Sequence, residues 1–169
     1  EEEFKMFRRV VEASGRPMVF TCNQRHDGRG TFWKDLMTYA REARDDGHIL
    51  RPVVAPRPIG VMLGLNGSQN PFSGTPTYRS IEHLSLDQRV EAMSQPDIRA
   101  KILSEDPIKQ STFPLIHRIL FTQMFRLGSP ANYTPSPDES ISAMAQNLGV
   151  TPQEMAYDIL LENQGREFI

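Results

Sequence analysis

Two short apolar runs, separated by one long amphipathic stretch, constrain this chain more than anything else in it. Met18-Val19-Phe20-Thr21-Cys22 is unbroken by charge, and Ile49-Leu50 with Val53-Val54-Ala55 forms a second such run. Runs without polar alternation are expected of strands buried on both faces. Between them, Trp33, Leu36, Met37, Ala40 and Ala43 fall on one helical stripe that closes at Asp45-Asp46-Gly47. Ahead of them, Phe4, Phe7, Val10 and Val11 predict another helix, stopped by Ser14-Gly15-Arg16-Pro17. Helix, strand, loop, helix, strand spells a right-handed parallel unit. Pro52 lies inside the second run, so its position is expected at a bulge or at the strand's start.

The chain has 169 residues. That is enough for a core of its own, but too few for a complete (β/α)₈ barrel, which needs roughly 200 residues or more. Its 19 basic and 21 acidic side chains leave a formal charge of −2, which offers no general attraction to nucleic-acid phosphates or anionic membranes. The lone Cys22 excludes a disulfide framework and any cysteine-cluster zinc site. No apolar run approaches the length of about 18 residues that a membrane span needs. The start, Glu1-Glu2-Glu3-Phe4-Lys5, is acidic where a signal peptide is basic and then apolar. These features predict a soluble, cytoplasmic α/β protein with no membrane and no nucleic-acid partner, processed or cut from something longer.

Two regions are expected: residues 1–65, holding the strand–helix units, and residues 66–169, a long loop followed by a mostly helical region. The stretch Asn66 to Tyr78 has no periodicity, and loops of that length are functional, disordered or packed on themselves. Ser85-x-x-Gln88 is a capping box, Pro96-Asp97 opens a further helix, and Ser136-Pro137-Asp138-Glu139 and Thr151-Pro152-Gln153-Glu154 share one N-terminal device. Ile141, Met144, Ala145 and Leu148 should line the first closing helix; Met155, Ile159 and Leu160 should line the second. Apart from that device, no internal repeat is visible.

Three chemistries compete. Ala145-x-x-Leu148-Gly149-Val150-Thr151 between helices has the look of a DNA-reading helix-turn-helix. Yet the following helix carries Glu154, Asp158 and Glu162 and no basic residue, so phosphates would be repelled and a plain helical hairpin is the stronger reading. A metal-dependent hydrolase needs about three protein ligands for a catalytic zinc. His26, His48, His83 and His117 show no ligand-pair spacing; His26, in the loop after the first strand, is the best single metal candidate. Anion recognition is the third. Arg25, Arg29 and Arg57 belong to the two strand-end loops with Asn23 and Gln24, and Arg57 sits between two prolines that stiffen it to fork a carboxylate. No glycine-rich phosphate loop and no Gly-x-Ser-x-Gly elbow is present.

Several stretches taken together resemble the N-acyl-D-amino-acid deacylase (D-aminoacylase-like) branch of the amidohydrolase superfamily. They are Arg57-Pro58-Ile59-Gly60-Val61-Met62-Leu63-Gly64-Leu65-x-x-Ser68-x-Asn70-Pro71-Phe72 with Pro76-x-Tyr78; Leu86-x-x-Arg89-Val90; Pro96-x-x-Arg99-Ala100; Asn132-Tyr133-Thr134-Pro135; and Ala156-Tyr157-Asp158-x-Leu160-Leu161. The resemblance implies an internal segment of a zinc-binding amidohydrolase (TIM) barrel: two parallel strand–helix units followed by a mostly α-helical insertion. It implies a hydrolase acting on non-peptide C–N bonds, cleaving N-acyl-D-amino acids or related amides by metal-activated water. Asn23, Gln24 and Arg57 would orient the substrate carboxylate, and His26 would serve the metal. The His-x-His pair and the late-strand Asp of the family are absent, and Thr21-Cys22-Asn23-Gln24 stands where members carry a ligand histidine. Zinc is therefore expected in the full-length parent and not on this segment, which should be inactive alone.

Strands stripped of their barrel neighbours are expected to make the isolated segment self-associate. The alternative to an enzyme is a non-catalytic interaction domain that uses the C-terminal helical hairpin or the long loop. An exposed apolar patch on the hairpin would favour it.

Overall fold

A computed structural model describes residues 2–23, 31–56, 60–106 and 121–169. Among them lie two strands and seven α-helices, a mixed α/β arrangement: α1 Glu2–Ser14, β1 Met18–Thr21, α2 Phe32–Asp45, β2 Leu50–Val53, α3 Pro76–Ile81, α4 Leu86–Met93, α5 Pro96–Ser104, α6 Ile141–Leu148 and α7 Pro152–Gly165. The chain forms two compact units, Glu1–Gly60 and Val61–Ile169.

In the first unit β1 and β2 pair in parallel, Met18 opposite Leu50 through Thr21 opposite Val53, with α2 as the crossover. Met18 N–H donates to Ile49 O at 2.9 Å and Cys22 N–H to Val53 O at 2.8 Å. The strands bury one face only. Phe20, Cys22 and Leu50 join Phe4, Val11, Ala40 and Ala43 in the core, while Val19 and Val53 are 62% and 51% exposed. The apolar runs therefore do not mark strands covered on both sides in this chain; helices cover one face and the other is open. Phe4 meets Phe20 edge-on at 5.7 Å and Tyr39 at 5.1 Å, and Phe7 lies 5.9 Å from Phe20, contacts that add to the area buried.

Pro52 sits within the ladder opposite Phe20, not at a bulge or a strand start. Backbone groups alternate direction along a strand, and those of Ile49 and Val53 face β1, so the proline nitrogen faces the free edge, where no donor is required. The structure also discloses a repeat that composition hides. A shift of 32 positions carries β1 onto β2 residue by residue and Gly15 (φ +61°) onto Gly47 (φ +87°), each glycine ending its helix in the left-handed region.

The second unit is built around Leu65, Tyr78, Met93, Ile102, Ile141, Tyr157 and Leu160. Of the aperiodic stretch from Asn66 to Tyr78, the part up to Thr75 is packed on itself, while Pro76 to Tyr78, expected in the loop, begin α3 because Thr75 caps it and Pro76 stands at its first position. Buried Asn70 accepts from Phe72 N–H at 2.9 Å, and buried Thr75 donates to Phe72 O at 2.9 Å while capping α3 through Tyr78 N–H. The capping boxes at Ser85 and Thr151 open α4 and α7 as their spacing predicts. The box at Ser136 closes only a 3₁₀ turn, Pro137–Glu139, and Ser140 caps α6 instead. Leu148, expected inward, is 68% exposed beside Gly149. Beyond α7's main body, Asn163, Gln164 and Gly165 take φ of +48°, +58° and +77° in succession. That turn brings Ile169 beside Leu63, and the two exchange backbone hydrogen bonds of 2.9 and 3.0 Å.

Candidate functional site

The parallel ladder ends at Thr21 and Val53, so the segments that follow the two strands start from the same edge of the sheet. Ligands of parallel α/β sheets gather at that edge. Asn23, just beyond that edge, is exposed and lines a cleft of about 370 Å³. Phe20 and Thr21 of β1, Phe4 and Phe7 of α1, and Phe32 and Leu36 of α2 supply its walls, and Glu3 adds a carboxylate. The cleft is thus apolar and aromatic inside, with an amide and a carboxylate for orientation, the composition expected of a small-molecule site. Gln24, His26 and Arg57, together with Arg25 and Arg29, lie outside the described residues.

Sequence spacing places Phe4, Phe7 and Leu36 on helix stripes and does not mark them as the walls of a cleft. Their signal was present as the apolar stripe at i, i+3. Nothing in the spacing, however, could show that the first turn of each helix stands beside the end of β1.

Cys22 is buried in the core with Phe20 and Leu50, and burial pushes its thiol pKa up. A thiol held protonated is a poor nucleophile and a poor metal ligand. His48 lies in the connection that enters β2, at the opposite edge from Asn23, and His83 belongs to the second unit. Among the described residues no group of three His, Cys, Asp or Glu side chains could hold a metal ion. The donors described therefore do not fit the zinc that the resemblance implies.

In the second unit Arg89 and Arg99 act on the protein itself. Arg89 donates to the carbonyls of Leu65, Glu82 and Leu84 at 2.9, 2.6 and 2.9 Å and to the Tyr78 hydroxyl at 3.2 Å, tying the loop, α3 and α4 together. Arg99 reaches both Asp158 oxygens at 2.9 Å and lies 5.2 Å from the Tyr157 ring centroid. With Asp158 engaged by Arg99 and Glu154 bonded to Thr151 of its own cap, α6 and α7 form a packed helical pair.

No family model, curated protein or solved structure matches this chain.

Proposed function

We propose that this chain is part of an amidohydrolase-like (β/α) barrel that hydrolyses the amide of N-acyl-D-amino acids or related amides. The supporting observation is the in-register parallel pair β1–β2 with its helical crossover, which starts the Asn23 loop and the Arg57 loop from one edge. In this reading the aromatic walls around Phe4, Phe7 and Phe20 take the acyl group. Asn23 and Gln24 hydrogen-bond the amide and carboxylate, and Arg57 forks the carboxylate between its stiff proline neighbours. His26 is the residue of this chain proposed to serve a metal, with the water-activating ligands coming from elsewhere in the parent.

Calorimetric titration of the full chain with N-acetyl-D- and N-acetyl-L-amino acids, alongside elemental analysis for zinc, tests this. Saturable binding that weakens at least tenfold, about 1.4 kcal/mol, in Asn23→Ala and in Arg57→Ala, with zinc well below one ion per chain, supports it. Absence of binding to either enantiomer removes the substrate role, and stoichiometric zinc removes the idea of a segment separated from its ligands.

A second reading, a non-catalytic interaction domain, draws on one observation. Leu148 and Val150 at the α6–α7 turn are 68% and 40% exposed, an apolar pair beside Gly149. Chemical cross-linking that maps a bound protein to this turn, with no small-molecule binding at Asn23, would select it.

A further inference from the structure

Between α2 and β2 runs an open groove of about 400 Å³, lined by Met37, Ala40 and Arg44 of α2 and by the 49–52 segment Ile49, Leu50 and Pro52. Two of its apolar residues are left in water, Met37 at 36% exposed and Ile49 at 44%, while Ala40 and Leu50 form its buried floor. The 32-position shift explains what the groove is. Carried back by that shift, its lining becomes Lys5, Arg8, Glu12, Pro17, Met18 and Phe20, part of the α1–β1 surface on which α2 and β2 seat in this chain. There Met18 and Phe20 face β2 across the ladder, Arg8 pairs with Asp46, and Lys5 and Arg8 stand opposite Tyr39 and Glu42.

The groove is thus the counterpart of a surface already filled once by a helix–strand unit. A second copy of the chain carries a matching unit in α1–β1. Seated by the same shift, its Phe7 and Val10 take the places of Tyr39 and Glu42, facing Met37 and Ala40. Val10 is itself 46% exposed, so the contact would cover apolar groups on both sides where the internal contact sets Lys5 and Arg8 against Tyr39 and Glu42. Its β1 would lie beside β2 and continue the existing sheet. Pro52 offers no N–H, so the added ladder lacks one bond that β1–β2 has. Arg41, Arg44 and Arg51 also line the groove.

We infer that the α2–β2 groove is the docking site for α1–β1 of a second copy, in a head-to-tail contact. The inference rests on the repeat and the groove, not on the amide-hydrolysis reading, although Phe7 also lines the cleft of that reading. A head-to-tail contact uses two different surfaces, so it leaves one of each open and growth continues past a pair.

Sedimentation velocity of the full chain over a concentration series is the test, with Val10→Glu and Met37→Glu as single variants. The unchanged chain should sediment as a dimer of the 19.2 kDa protomer and larger species as concentration rises. Each variant alone should associate at least tenfold more weakly, about 1.4 kcal/mol. An equimolar mixture should recover a species that stops at the pair, because one variant keeps its groove and the other keeps its α1. Far-UV circular dichroism checks the fold; where a glutamate variant unfolds, Val10→Gln and Met37→Gln replace it in the same design. A chain monomeric throughout, variants that associate unchanged, or a mixture that does not recover the pair would each overturn the inference. Unchanged association would point to a surface on the second unit instead.

Discussion

At the scale of single residues the second unit depends on a left-handed turn with little room in it. Gly165 has φ of +77°, and a Cβ there would lie 2.5 Å from Val90 Cγ2 and 3.1 Å from Leu86 Cδ1. Arg126 spans the turn, pairing with Glu162 before it and Glu167 after it. Gly165→Ala is therefore expected to destabilise the unit by about 2 kcal/mol or more, read from urea denaturation. Tyr157 is fully buried and donates to Met93 O at 2.8 Å. Burial pushes its pKa up to about 12 from an ordinary 10.0. A phenol whose folded pKa is raised contributes its full stability below the unfolded value and loses it as pH climbs toward the folded one. Wild-type stability should thus fall between about pH 10 and 12, by up to about 1.4 kcal/mol per pH unit. Tyr157→Phe should cost about 1–2 kcal/mol near neutrality through the unpaired Met93 carbonyl, and the gap should narrow or reverse at about pH 11. Denaturation at the two pH values checks both statements.

Among elements, the helix starts were the most legible part of the chain. Ser85 and Thr151 open α4 and α7 because a hydroxyl at the cap and a Gln or Glu three residues on satisfy two orphan donors, a purely local arrangement. Ser136 shows the limit of that logic. Its box forms, with Ser136 N–H donating to Glu139 at 2.7 Å, but the chain then reopens and Ser140 accepts from Ala143 N–H at 3.2 Å to start α6. Ile141, fully buried, donates its N–H to Met124 O at 2.9 Å, a long-range bond that local spacing does not encode. Ser140→Ala should accordingly cost about 1 kcal/mol and Ser136→Ala only a few tenths, compared by thermal denaturation. The strands behaved the other way. Their existence and order were readable from apolar runs, but their one-sided burial was not, since continuous apolar character predicts two covered faces and Val19 and Val53 have only one.

For the whole molecule, two cores share no residue: one around Phe4, Phe20 and Leu50, the other around Tyr157, Met93 and Ile141. Trp33, the only tryptophan, packs against the first. Its fluorescence and the far-UV signal, to which the helices of the second unit contribute, should therefore report non-coincident unfolding transitions, the first unit melting earlier because it buries less. Coincident transitions would show the units to be coupled.

Much of the candidate site was legible and much was not. Asn23 was singled out because it follows an apolar run, and the parallel ladder does put the start of its loop and that of Arg57 on one edge. The aromatic walls were not foreseen, because Phe4, Phe32 and Leu36 come to that edge only once α1 and α2 pack on β1. The 32-position repeat was invisible for a related reason. Phe4 answers to Leu36, Phe7 to Tyr39 and Phe20 to Pro52, so the α1–β1 and α2–β2 segments share register and almost no side-chain identity. The caps of α4 and α7, the glycine stops and the order of the two strands and their crossover helix were determined by the sequence alone, since each depends on residues close together in the chain. Which strand face stays open, where the left-handed turn at Gly165 returns the chain to Leu63, and what surrounds Asn23 were decided only by tertiary structure. Those outcomes depend on which distant side chains fill the space between elements, and no local spacing contains that information.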